Sequence, residues 1–183
     1  MLFLLVGCSS LMVIAGRDYC KDPSDDPAFQ MTKEFCQMSE KEIQLVNDEG
    51  KSVHIQARIA DEPAERAAGY QKIGPQIIAR TFILFVFDQD MTGSFHMCNV
   101  VAPLDIAWIR SDGSILDVWL MEPGPVQPAV GCPKLYAPGN RGVYRYALET
   151  RKDFFKENKI SPCHETDAAR CKAHLTLYSS KKN

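Results

Sequence analysis

The run Phe-Ile-Leu-Phe-Val-Phe at residues 82–87 constrains the fold more than any other stretch. It holds six consecutive apolar side chains and no polar position that would give a helix a wet face. A continuous apolar segment of that length, built from aromatic and branched residues, suits a strand covered on both sides. The sheet that contains it must therefore be layered. At 183 residues with 45% hydrophobic content, the chain has material for one such core.

Flanking patterns supply the rest of the sheet. Residues 43–46 and 53–59 are short alternating runs separated by Asn47-Asp-Glu-Gly50, a hairpin signal that puts Val53, Ile55, Ala57 and Ile59 on one face. Residues 60–69 turn helical, with Asp61 or Glu62 at the cap, Pro63 in the first turn and Gly69 as the stop. Residues 106–109 close on Ser111-Asp-Gly113 and continue through 115–121 as a second hairpin. Prolines and glycines punctuate 122–140, so no regular element is expected there, and this long loop needs pinning. Residues 143–148 return to strand alternation, and Thr150 with Asp153 three residues later fits the cap of a short helix through Asn158. The expected fold is a single-domain, β-rich α+β structure. Six to eight short, mostly antiparallel strands close into a small barrel or curled sheet, with one helix after Ile59 and another after Glu149.

Residues 1–16 are apolar or small, and the first charged side chain is Arg17. They are too few to span a bilayer, which takes about 20 residues, but they suit the apolar part of an export signal. Leu5-Val-Gly-Cys8 followed by Ser9-Ser10 matches a lipobox, in which cleavage precedes a cysteine that is then acylated. Cys8 is thus the lipidation candidate, and a membrane is the expected partner through that lipid. Cleavage after Ala15 is the alternative, giving a secreted soluble protein, and an uncleaved anchor is the third arrangement. Residues 17–42 are polar and read as a tether, leaving 43–183 as the domain.

The cysteine count supports export independently. Of seven cysteines, setting Cys8 aside leaves Cys20, Cys36, Cys98, Cys132, Cys163 and Cys171, the even number a disulfide framework requires. Proximity pairs Cys20 with Cys36, Cys98 with Cys132, and Cys163 with Cys171. No paired C-x-x-C units occur, which speaks against structural zinc. Lys and Arg total 21 against 23 Asp and Glu, with neither sign in a long block, so no nucleic-acid footprint is present.

The order of the 82–87 strand, the turn Ser94-Phe-His-Met-Cys-Asn99, then Pro103-Leu-Asp105, then a strand followed by Asp112-Gly113, resembles the bacterial and archaeal domain of unknown function 192 family. The resemblance covers residues 53–160 well and the last strand loosely. It implies a β-rich fold and no biochemical role, because the family has none established. Three departures stand out. Gly69-Tyr-Gln71 replaces the usual Gly-Leu-Met, His96 and Cys98 stand where Trp and Lys are common, and residues 161–172 form a cysteine-bearing insertion.

Several residues are candidates for chemistry. Asp105, between Leu104 and Ile106, is costly to bury unless partnered. It reads either as a cap for the backbone of the 95–99 turn or as a ligand-contacting acid at a barrel mouth. His96 and Cys98, with Met97 opposite, suit cuprous copper chemically, whereas pairing of Cys98 with Cys132 removes the thiolate. Arg66, Arg141, Arg145 and Glu149 can line a polar patch or form ordinary surface ion pairs. His164-Glu165 lacks the second histidine of a zinc-protease helix, and no nucleophile elbow, phosphate loop or dinucleotide fingerprint occurs.

These readings point to a non-enzymatic, exported accessory or binding module with no expected cofactor. Its ligand site is expected among Arg66, His96, Asn99, Asp105 and Trp119, for a small molecule or protein partner. A periplasmic copper protein using His96, Cys98 and Met97 is the alternative, and a hydrolase using Asp105 the remote one.

Overall fold

The computed structural model describes residues 18–126, 131–139, 142–163 and 172–177. Its main sheet contains seven strands: β1 (Ser39–Val46), β2 (Ser52–Ala60), β3 (Ile83–Met91), β5 (Leu104–Ile109), β6 (Ile115–Met121), β8 (Tyr144–Arg151) and β9 (His174–Leu177), in the order β6-β5-β8-β3-β2-β1-β9. A separate two-stranded ribbon pairs β4 (Phe95–His96) with β7 (Leu135–Tyr136). All main-sheet pairs are antiparallel except β2 with β3, which run parallel because the chain crosses between them through two helices. Those helices are α2 (Pro63–Ala68) and α3 (Pro75–Ile78).

The sheet curls until its far edge meets the β5–β6 turn. Leu175 N–H donates to the Gly113 carbonyl at 2.8 Å, and Ser114 bridges His174. A Cβ on Gly113, where φ is +88°, would lie 2.3 Å from the Leu175 carbonyl oxygen. Only glycine permits this closure.

Burial divides the core in two. One cluster draws on every main strand, including Ile43, Ala57, Leu84, Ala107, Ile115, Leu148 and Leu175, and so lines the curl. The other lies on the opposite face, where Ile83, Phe85, Ile106 and Trp108 pack under Tyr70, Ile73, Ile77 and Ile78 from the α2–α3 crossover. Residues 82–87 feed both clusters, which is why that run is apolar throughout.

The expected β-rich α+β class is the observed one, and the two expected helices are α2 and α4 (Phe154–Glu157). Residues 18–42 differ from a tether. They are pinned by the Cys20–Cys36 disulfide, but they also form α1 (Lys33–Gln37) and lay Phe35, 0% exposed, into the second cluster. The Arg58 guanidinium lies 4.6 Å from the Phe35 ring centroid. A polar composition hid this segment, because a single aromatic anchor has no period to detect.

The α4 cap also differs. Thr150 Oγ1 donates to the Arg151 carbonyl, and Asp153 sits at φ +65° without a side-chain cap bond. The donors of this helix start are satisfied from β5 instead, as described below. Cys8 and Cys171, along with Arg141 and His164-Glu165, lie outside the described residues. No helix among the described residues is long and apolar enough to cross a membrane.

Candidate functional site

Glu149 occupies the middle of a cross-sheet row. The registers place Arg58 of β2, Ile83 of β3, Glu149 of β8, Ile106 of β5 and Trp119 of β6 side by side, and hence on one face. Its immediate neighbours, Ile83 and Ile106, are fully buried and offer no polar atom. The nearest cation in the row, Arg58, is committed to Glu40 at 2.8 Å and to the Phe35 carbonyl. Glu149 is therefore 4% exposed, and no hydrogen-bond donor among the described residues reaches its carboxyl. Loss of water pushes its carboxyl up to about 8.

This carboxyl contributes to the wall of a cavity of about 180 Å³. Phe85, Phe87, Phe95 and Tyr144 form apolar walls, Ala67, Ala68 and Gly69 one side, and Arg66, Gln71, Ser94 and His96 supply further polar lining. Neighbouring rings meet nearly at right angles: Phe85 with Phe95 at 81°, and Phe87 with Tyr144 at 78°. The Tyr144 hydroxyl donates to the Gly93 carbonyl at 2.8 Å, and burial holds the phenol at about 12, so the ring stays neutral. Arg66 donates to the backbone carbonyls of Asp61 and Val86, and its guanidinium lies 5.6 Å from the Phe87 ring centroid.

The expected ligand residues divide. Arg66 and His96 line the cavity. Asn99 supports it indirectly, donating from Nδ2 to Gln71 Oε1 at 3.1 Å, with its backbone at φ +61°. Asp105 and Trp119 do not line it. Asp105 is 7% exposed and accepts hydrogen bonds from the backbone N–H groups of Asp153 and Phe155, at the start of α4. It is a buried cap, but of α4 and not of the 95–99 turn. Desolvation raises its pKa against those two bonds. Trp119 is 45% exposed, donates to Asp117 Oδ2 at 2.9 Å, and packs edge-on against Trp108.

The side-chain ligand atoms of His96, Cys98 and Cys132 all lie within 4.8 Å of one another, so the structure juxtaposes His96 and Cys98 as the spacing implies. The two sulfurs are joined in a disulfide, leaving His96 as the only free donor of the three. Met97 is turned into the second core cluster. The bond also ties the Pro-rich loop to the β4–β7 ribbon. Cys163 is disulfide-bonded too. These bonds indicate an oxidising, non-cytoplasmic environment. Arg145 pairs with Asp90 at 2.9 Å on the surface and takes no part in the cavity.

Glu149 was legible only as one member of a polar patch. Strand alternation gave it a face, and the signal that it faces inward is the covering layer, which comes from a distant crossover.

Comparisons with known proteins follow the same outline. Residues 44–167 match the model of the family described as DUF192, Uncharacterized ACR. A crystal structure from Sinorhizobium meliloti 1021, of a protein described as a "putative transcription regulator", superposes with a TM-score of 0.60 at 21% identity, covering 76% of this chain and 94% of that one. A protein of unknown function from Novosphingobium aromaticivorans DSM 12444 gives a TM-score of 0.58 at 14% identity, covering 81% and 99%. At those identities the likeness is one of fold. No curated protein matches.

Proposed function

Because the chain belongs to the DUF192 family, whose description names no activity, the site itself carries the reading, and we propose that the protein is an exported, lipid-anchored binding module that holds a small molecule in the Glu149 cavity. The observation that carries this reading is a glutamate, 96% buried, whose carboxyl has no hydrogen-bond donor among the described residues and lies on the wall of a largely apolar cavity. A fold gains nothing by burying an unsatisfied acid, which costs about 1–3 kcal/mol or more. Such a group is characteristic of a ligand site.

A binding role fits better than catalysis. Asp105, the residue that the sequence offers as a hydrolytic acid or base, has its carboxyl bonded to backbone N–H groups. Ser94 and His96 both line the cavity, but no hydrogen bond joins the hydroxyl to the imidazole. The two described disulfides support an exported protein, and the lipobox at Cys8 supports attachment to a membrane.

Two experiments test the reading. Benzene is the simplest probe, since a cavity of roughly 150 Å³ is known to hold it. It should perturb the ring resonances of Phe85 and Phe95 in the native chain and not in Ala68→Phe, which fills the cavity. Identical responses in the two proteins would remove the cavity as a site. For the anchor, Cys8→Ser should move the protein from the membrane to the soluble fraction. A variant that stays on the membrane contradicts lipidation.

A further inference from the structure

Deepening the binding reading and resting on it, we propose that the cavity takes a compact organic ammonium, with Glu149 as its counter-ion and Phe85, Phe87, Phe95 and Tyr144 as its aromatic walls. Three independent features of the cavity converge on that class.

The first is the acid itself. Glu149 has two oxygens and no donor among the described residues, so the missing partner is a donor. A ligand N–H group supplies one, and an ammonium supplies a charge as well, the strongest form of the bond. The second is the box of rings. Aromatic faces carry negative charge density, and four rings line the cavity, one of which, Phe87, already has the Arg66 guanidinium 5.6 Å from its centroid. Cations bind such faces with about 0.5–2 kcal/mol each. The third is size. A cavity of about 180 Å³ admits one ring or a short alkyl body.

The other charged and titratable groups around Glu149, His96 apart, have bonds of their own, although Arg58 Nε is buried without an acceptor among the described residues. Arg58 from β2 pairs with Glu40. Arg66 from α2 is held to the Asp61 and Val86 carbonyls. Tyr70, from the loop after α2, is fully buried against Thr81 and stays protonated. Tyr144, on the same strand, is bonded to Gly93. His96 from β4 is exposed and faces the cavity, where its protonation would oppose a cation.

The pH dependence follows. An ammonium needs the carboxylate, and burial holds Glu149 protonated up to about pH 8. Binding therefore releases a proton below that pH, and affinity falls about tenfold for each unit of acidification.

Benzylamine, benzyl alcohol and benzoate, which share one ring and differ in charge, test the proposal by calorimetry on the full-length protein at pH 6, 7 and 8. Benzylamine is expected to bind at least about tenfold more tightly than benzyl alcohol at pH 8, with the tenfold-per-unit slope below it. Glu149→Gln, a near-isosteric change, should abolish both the preference and the slope. Benzyl alcohol binding as tightly as benzylamine would overturn the ammonium class while leaving the cavity a binding site. Benzoate binding most tightly would transfer the role to Arg66 and His96. Silence from all three probes would overturn the binding reading together with this one.

Discussion

Gly69 and Glu149 face each other so closely that a Cβ on the glycine would lie 3.9 Å from Glu149 Oε2, with Phe85 at 3.4 Å. Those are ordinary contact distances, so space does not forbid a side chain. Conformation does, because Gly69 has φ +47° with ψ −133° as it ends α2. Gly69→Ala should therefore cost about 1–3 kcal/mol of backbone strain. Urea denaturation of the variant checks this, and an unchanged midpoint would mean that the loop over Glu149 is not held as described.

Stability should fall as pH rises, the reverse of the usual behaviour of paired carboxylates. Glu149 has a folded value of about 8 against 4.5 when exposed, so between those limits the unfolded chain ionises while the native one keeps its proton. The native state binds more protons, and the stability present below pH 4.5 is lost through pH 8, on the order of a few kcal/mol. Asp105, also raised by burial, contributes with the same sign. Melting temperatures across pH 5–8 should decline in the native chain and decline much less in Glu149→Gln.

Removing the carboxyl of Asp105 should unfasten α4 from β5. Asp105→Ala leaves the N–H groups of Asp153 and Phe155 without an acceptor in a buried setting, at a cost of about 1–3 kcal/mol. Binding of benzylamine should survive in whatever fraction remains folded, since Asp105 is not a cavity residue. Loss of binding in a folded variant would give Asp105 a role that its geometry denies it.

The Cys98–Cys132 bond closes a long segment and anchors the Pro-rich loop, with the two cysteines 34 residues apart. Its removal by Cys132→Ser together with Cys98→Ser should cost about 2–4 kcal/mol. Peptide mapping without reductant should return the Cys98–Cys132 pair, and the oxidised protein should take up no cuprous copper. A free Cys98 thiol that binds copper would restore the metal reading.

What the sequence made legible was whatever is local. The 43–46 and 53–59 alternation, the helix from Pro63, and the strand near Val143 all appear close to where their own residues put them. Asp105 was legible as a costly acid in need of donors, yet its donors belong to residues 153 and 155, across the β5–β8 pairing, and no local pattern announces them. Phe35 was missed because an isolated aromatic in a polar stretch has no periodicity. Glu149 differs again: its face was predictable, but whether that face meets water depends on the α2–α3 layer, which a reading of β8 alone does not supply. The Cys20–Cys36 and Cys98–Cys132 pairs were within reach of proximity, and the closure at Gly113 was not.

Glu149 is a desolvated acid without a hydrogen-bond partner among the described residues, and its own titration tests that most directly. With the glutamate carboxyl carbons labelled with ¹³C and the Glu149 resonance assigned by its absence in Glu149→Gln, the ligand-free protein should show a midpoint near pH 8. A midpoint near 4.5 would mean that water or a donor already serves this carboxyl, and the cavity would lose the feature that makes it a site.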